Sequence, residues 1–253
     1  MPPKGKGRNV NYCAILAHFG LTSHPSGTAF PDERRRSNVR AAPTLLAAGL
    51  AALVLTGCIP SRRAPGGGWR PPVETPERFR QCVAMLRAEG AKADPLPDRR
   101  FDNGCSATSS IKLVAIGIPI TNLGAVKCTL ALPFARWIRQ DVPALAKRWL
   151  SSDVVRIESY GSFACRPVNN QAGNGLSEHG RANAIDIAAF RLRDGRRISV
   201  KDGWNGDDAN VRAFLRALHR AACARFSVVL GPEANALHRD HFHFDMGMGP
   251  YCR

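Results

Sequence analysis

The chain has 253 residues, 44% of them hydrophobic, which is enough apolar content for one medium domain with a sizeable core plus appendages. Its formal charge is +16; residues 1–57 hold seven basic and two acidic side chains, so +11 remains on the rest. Such a surface favours anionic partners, but no nucleic-acid-binding motif accompanies it and aromatic residues make up only 7%, which argues against nucleic acid and leaves membranes or acidic envelope polymers.

In chain order, the first feature is an apolar run inside "RAAPTLLAAGLAALVLTGC", Arg40 to Cys58. A basic lead precedes it and Leu-Thr-Gly-Cys closes it. At about 15 residues it is short for a membrane span and suits the apolar centre of a signal peptide. The closing four residues resemble a bacterial lipobox, in which the cysteine is lipidated and becomes the mature N-terminus. Residues 39–57 are therefore read as a lipoprotein signal peptide, with Cys58 as the lipidation site. Residues 1–38 are read as a mis-annotated leader, because signal peptides start near the N-terminus. Residues 58–74, rich in Pro, Gly and Arg, read as a flexible tether, and residues 75–253 as one domain.

Cysteine usage agrees with export. Setting aside Cys13 and Cys58, six remain: Cys82, Cys105, Cys128, Cys165, Cys223 and Cys252. An even number without Cys-x-x-Cys spacing suits three disulfides in an oxidising compartment, with 15 pairings possible.

Within the domain, Thr75 is placed to cap a helix with Pro76 at its first position, and Phe79, Cys82, Val83 and Leu86 follow helical spacing. Asp94 to Ser110 reads as loop. A second helix is predicted over 133–150. "DVVRIESYGSFACR" reads as a strand and turn, and "NAIDIAAFRL" and "RRISV" as strands joined at Asp194-Gly195. From Asp208 to about Phe226 the pattern is helical, "FSVVLGP" is a strand, and "HFHFD" is another. The expected class is α+β: a single domain with one small antiparallel sheet, helices packed on one side and a zinc site on the sheet.

Alternation along "HFHFD" puts His241, His243 and Asp245 on one face and Phe242 and Phe244 on the other. That pattern alone also describes a polar solvent-facing strand. "SEHGRANAIDI" repeats it, with Ala184, Asp186 and Ala188 opposite Ile185 and Ile187, and with His179 seven residues before Asp186. On a continuous helix that spacing would hold the two about 10 Å apart, so a turn feeding a strand is needed for both to reach one ion.

Ser177, His179, Ala184 and Asp186, followed by His241-x-His243, resemble the two motifs of zinc peptidases related to D-Ala-D-Ala carboxypeptidases, murein endopeptidases and the hedgehog signalling domain. "SYGSFACR", "LSEHGRANAIDI", "DGW" and "LGPEANALHRDHFHFD" more closely resemble the bacterial extensin-like C-terminal domain family within that superfamily, over roughly residues 78–253. The resemblance implies that His179, Asp186 and His243 bind Zn2+. It makes His241 the general base or transition-state stabiliser and His238 a supporting histidine. Two imidazoles and a carboxylate leave a fourth zinc position for water, whose pKa the ion lowers to about 7.

Around this set, Arg166 is a candidate clamp for a substrate carboxylate or developing oxyanion. Ser177, Asp240 and Asp245 are candidates for the surrounding shell, Asp245 to orient an imidazole and Asp240 as substitute base. Glu178 and Glu233 have no evident placement at the site, and His219 and Trp204 read as packing residues. One position departs from the superfamily pattern: its glycine is Ala182 here, and alanine does not reach positive φ cheaply.

The implied function is a periplasmic, lipid-anchored zinc metallopeptidase that hydrolyses amide bonds in peptidoglycan, held to a membrane through Cys58. The rival reading is a non-catalytic peptidoglycan-binding or envelope-organising module on the same fold. Which bond is cut, the disulfide pairing, the membrane leaflet and the oligomeric state are not readable from the sequence.

Overall fold

The computed structural model describes residues 74–253. The predicted leader, the signal peptide, Cys58 and the tether up to residue 73 lie outside the described residues. Among the described residues, no helix is long and apolar enough to cross a membrane.

Helix α1 (Pro76–Ala88) starts as its sequence dictates: Thr75 Oγ1 accepts from the Arg78 amide at 3.3 Å, and Pro76 stands where a missing N–H is harmless. The segment expected to be loop instead carries short strands. These are β1 (Lys92–Pro95), β2 (Arg99–Arg100) and β3 (Ser106–Ala107), with β4 (Ser110–Ala115) beginning at its end. A three-stranded sheet joins β1, β4 and β5 (Val126–Lys127), while β2 and β3 form a two-stranded ribbon. Strands of two to four residues carry no readable periodicity; their distant partners decide them.

The helix predicted over 133–150 starts earlier and is interrupted. Helix α2 (Cys128–Arg136) contains Pro133, a π turn spans Trp137–Asp141, and α3 (Val142–Leu150) carries Pro143 in its first turn. Proline cannot donate to the carbonyl four residues back, and the widened turn ahead of Pro143 accommodates that missing bond.

The remaining elements are β6 (Val154–Gly161), β7 (Ala184–Leu192), β8 (Arg197–Ser199), α4 (Val200–Gly203), α5 (Ala209–Cys223), β9 (Val228–Leu230), β10 (Phe242–Asp245) and β11 (Tyr251–Cys252). They build a six-stranded sheet in the order β11-β9-β10-β7-β6, with β8 also paired to β7. Its pairs are antiparallel except β11 with β9, so the single, wholly antiparallel sheet of the prediction becomes an antiparallel-rich one beside two smaller sheets. The α+β class stands.

One face of the six-stranded sheet meets the helices. Ile185, Ile187, Phe242 and Phe244 join the core, as their alternation requires. Between Glu158 and Ser159 of β6 the register with β7 slips by one residue. This bulge moves the core face of β7 from Ile185 and Ile187 to Phe190 and Leu192. Trp137 of the π turn packs edge-on against Phe244 at 5.1 Å between ring centroids and donates its indole N–H to the Leu218 carbonyl at 3.2 Å. The opposite face, carrying Asp186 and Ala188, is therefore free for chemistry.

Of the 15 pairings that the sequence left open, the structure selects Cys82–Cys128, Cys105–Cys165 and Cys223–Cys252. The first ties α1 to α2, and the last ties α5 to the C-terminal strand. Three disulfides suit a compartment outside the reducing cytosol. Cys105–Cys165 closes a separation of 60 residues and adjoins Arg166. Replacing both cysteines with alanine should lower unfolding stability by up to about 4 kcal/mol by loop-closure entropy, measurable as a reduced denaturant midpoint with a somewhat steeper slope, since the unfolded chain without the cross-link exposes more surface.

Candidate metal centre

Two strands and one turn bring the predicted ligands together. Asp186 of β7 and His243 of β10 stand directly opposite each other in the antiparallel register. His179 arrives on a 3-10 turn, Glu178–Arg181, that feeds β7. Ser177 caps this turn, its hydroxyl accepting from the His179 amide at 3.3 Å; it fixes the backbone and has no contact with the other ligands. Gly180 is required by space, since a Cβ there would sit 2.7 Å from Leu176 Cδ1 and 3.1 Å from the Cys105 sulfur.

Ala182 ends the turn in the left-handed region, at φ 54°, fully buried. The departure from glycine thus leaves the geometry intact and places its strain on one alanine. Left-handed alanine costs about 1–2 kcal/mol, against about 0.5–1 kcal/mol for the extra chain entropy of glycine. Ala182→Gly should leave the fold unchanged and raise stability by about 0.5 kcal/mol, read as a Tm increase of about 1–2 °C.

The three candidate ligands form a compact triangle, in which Asp186 meets the two imidazoles through different oxygens. His179 Nε2 lies 3.0 Å from Asp186 Oδ2 and 3.2 Å from His243 Nδ1, and His243 Nδ1 lies 2.9 Å from Asp186 Oδ1. Tetrahedral zinc with bonds of about 2.0–2.1 Å separates its ligand atoms by about 3.3 Å, so these spacings are close to those of one ion. The outer ring nitrogens are engaged elsewhere. His179 Nδ1 donates to the Ser162 carbonyl at 3.3 Å, and His243 Nε2 donates to Asp245 Oδ2 at 2.8 Å. With each imidazole neutral, as a metal ligand must be, these bonds leave both inner nitrogens as lone pairs facing the carboxylate. A bound cation would take the place of the proton that these imidazoles otherwise share with Asp186.

Local electrostatics also favour positive charge here. Burial opposes protonation of His243, yet hydrogen bonds and charge from Asp186 and Asp245 outweigh it and push its pKa up to about 9. Burial would likewise raise Asp186, but its hydrogen bonds to His179 and His243 and their charges drive it far below the usual carboxylate range.

His241, the residue before β10, holds its Nε2 3.6 Å from Asp186 Oδ1 and donates from Nδ1 to Asp240 Oδ1 at 2.8 Å. Tyr160, which lies in the resemblance stretch "SYGSFACR" without a role implied for it there, donates its hydroxyl to the other Asp240 oxygen at 3.2 Å and stands edge-on to His241 at 5.5 Å. Ser162, in the same stretch, acts through its backbone carbonyl, a role that no side-chain pattern records. His238 stacks beside His241 and His243, at 5.1 and 5.7 Å, and its Nδ1 donates to Asn235 Oδ1 at 2.8 Å. Burial, then the charges of His243 and His241, lower its pKa to about 4, so it is neutral at physiological pH.

His179, Asp186, Asp240, His241 and Tyr160 line a cleft of about 370 Å³ together with Phe163, Arg166 and Leu237, while His243 and His238 are buried beside it. Arg166 is half-buried there, and its guanidinium has no hydrogen-bonded or ionic partner among the described residues. The other predicted residues lie elsewhere. Glu178 binds Arg181 and Asn183, and Glu233 accepts from the Trp204 indole, which packs on His219 and Phe242. His219 donates from Nε2 to the Arg253 carbonyl, as a packing residue. It forms a second ligand-like cluster with Cys223 and Cys252, but their sulfurs are bonded to each other.

The sequence model of one family, described as extensin-like protein C-terminus, matches residues 80–253. No curated protein and no solved structure matches the chain.

Proposed function

The chain belongs to the extensin-like protein C-terminus family, and from that premise we propose that it is an exported zinc metallopeptidase hydrolysing amide bonds in the peptide stems or cross-links of peptidoglycan. The observation that carries this reading is the convergence of His179, Asp186 and His243 beside an open cleft that His179 and Asp186 line, with His241 next to them backed by Asp240. Zinc held by these three would supply Lewis acidity to a carbonyl and an attacking water.

The chain's own groups account for the rest. Asp240 accepts the His241 Nδ1 proton and so leaves Nε2 as a lone pair facing the cleft. His241 is then placed to take a proton from the attacking water and deliver it to the leaving amine. Tyr160 holds the second oxygen of Asp240, which fixes the pair against rotation. Arg166 presents a guanidinium to a substrate carboxylate or to oxyanion charge as it develops. His238, neutral, packs against His241 and His243 without adding a charge that would compete with the ion.

Location fits the substrate. A basic chain on a Pro- and Gly-rich tether, anchored through a lipid on Cys58, would meet an anionic meshwork beside its membrane. The test is digestion of purified muropeptides by the zinc-loaded full chain. New cleavage products support the peptidase. Intact muropeptides together with retained binding to sacculi would instead establish the non-catalytic wall-binding module.

A further inference from the structure

The sheet face that carries Asp186 continues away from the cleft into a second depression of about 420 Å³, and the two share Tyr160. Its floor is a row of arginines. Arg156 on β6 is the register partner of Arg191 on β7, and Arg191 is the register partner of Arg197 on β8. All three are exposed. Ile157, Phe190 and Ile198, their neighbours along the three strands, point into the core, so the guanidinium-bearing side chains share the face of Asp186 and Ala188.

Like charges directly opposite each other on adjacent strands are destabilising, and here they occur twice in succession. Among the described residues one carboxylate bonds to them, and Asp202 adds charge near Arg197 without bonding to it. Glu158 takes Arg191 Nε on one oxygen at 2.6 Å and Arg197 Nη2 on the other at 2.6 Å. Arg156 has no hydrogen-bonded or ionic partner among the described residues, and the terminal nitrogens of Arg191 make no hydrogen bond there. The row thus already holds one carboxylate and carries a net charge of about +2, with unused donors facing solvent.

We infer that the Arg156–Arg191–Arg197 row is an anion-binding subsite of the same cleft, which receives free carboxylates of a peptidoglycan stem while an amide of that polymer lies at His179, Asp186 and His243. The inference rests on the reading under Proposed function. Guanidinia hold carboxylates through charge-assisted hydrogen bonds, as Glu158 demonstrates in place: one oxygen accepts from Arg197 Nε and Nη2 and the other from Arg191 Nε. Spacing suits a peptide: five strand positions separate Asp186 from Arg191, about 16 Å, the reach of four to five extended residues. Tyr160, exposed between the two depressions, supplies an aromatic surface along the path.

The test is co-sedimentation of the full chain with purified diaminopimelate-type sacculi, native or with their carboxylates converted to amides. Arg156→Gln should weaken binding to native sacculi about five- to tenfold, the worth of one charge-assisted hydrogen bond at an exposed site, and amidation should remove that difference. Arg80→Gln, which takes an equal charge from α1, should leave binding unchanged. Equal binding by wild type and Arg156→Gln, an equal loss with Arg80→Gln, or wild-type binding indifferent to amidation would each overturn the subsite. Muropeptide cleavage is scored separately, so a chain that binds through Arg156 but cuts nothing sinks the peptidase and keeps the subsite.

Discussion

The purified full chain is expected to bind about one zinc ion per molecule, and Asp186→Asn to bind none. The substitution is nearly isosteric, so a loss of metal cannot be blamed on a cavity. What changes is charge and acceptor count at the one point where His179 Nε2 and His243 Nδ1 both aim lone pairs. In the wild type, zinc at about a thousand times its dissociation constant should stabilise the fold by about 4 kcal/mol, seen as a metal-dependent rise in Tm. That rise should vanish in Asp186→Asn. Asp245→Asn makes a finer comparison, since Asp245 accepts the His243 Nε2 proton and meets no other ligand. Zinc should still bind there, with affinity reduced about 10–100-fold. Equal zinc content in wild type and Asp186→Asn, measured after the same dialysis, would show that the triangle of acceptors is not a metal site.

Why some of these residues are legible in a linear pattern, and others not, follows from what such a pattern records. Strand alternation is a local property, so the facing of His241, His243 and Asp245 away from Phe242 and Phe244 is readable from five letters. The meeting of His179 with Asp186 is not, because it depends on a 3-10 turn closed by a left-handed Ala182, a conformation that alanine does not advertise. There the resemblance to a known motif supplies what periodicity cannot. Tyr160 falls within a resemblance stretch, but its role is unreadable there because it arises across strands: its hydroxyl reaches Asp240, eighty positions later. Pro133 misleads for a physical reason. Proline is favoured at a helix start, but neighbouring packing around Leu130, Phe134 and Trp137 holds α2 together through it. The arginine row is invisible for the same reason as Tyr160, since its register exists only once β6, β7 and β8 pair.

The proton-transfer assignment makes the second large prediction. His241→Ala should cut the rate of muropeptide hydrolysis by about 10²–10⁴-fold, the usual worth of a positioned acid–base group. Zinc content should stay at the wild-type level, because His241 Nε2 stands 3.6 Å from Asp186 and outside the triangle of ligand atoms. Separating these two readouts decides between a base and a ligand, which activity alone does not do. Asp240→Asn should act through the same imidazole. An amide can still bond Nδ1 but no longer fixes which nitrogen keeps the proton, so the rate should fall less steeply, about tenfold, with KM nearly unchanged. Tyr160→Phe, which removes only the restraint on Asp240, should cost less again. Free imidazole added to His241→Ala should restore part of the lost rate if the side chain transfers protons, and none if it merely packs against Tyr160 and His238. A His241→Ala chain that hydrolyses muropeptides within twofold of wild type would move the proton transfer to another group, with Asp240 next in line at the cleft wall.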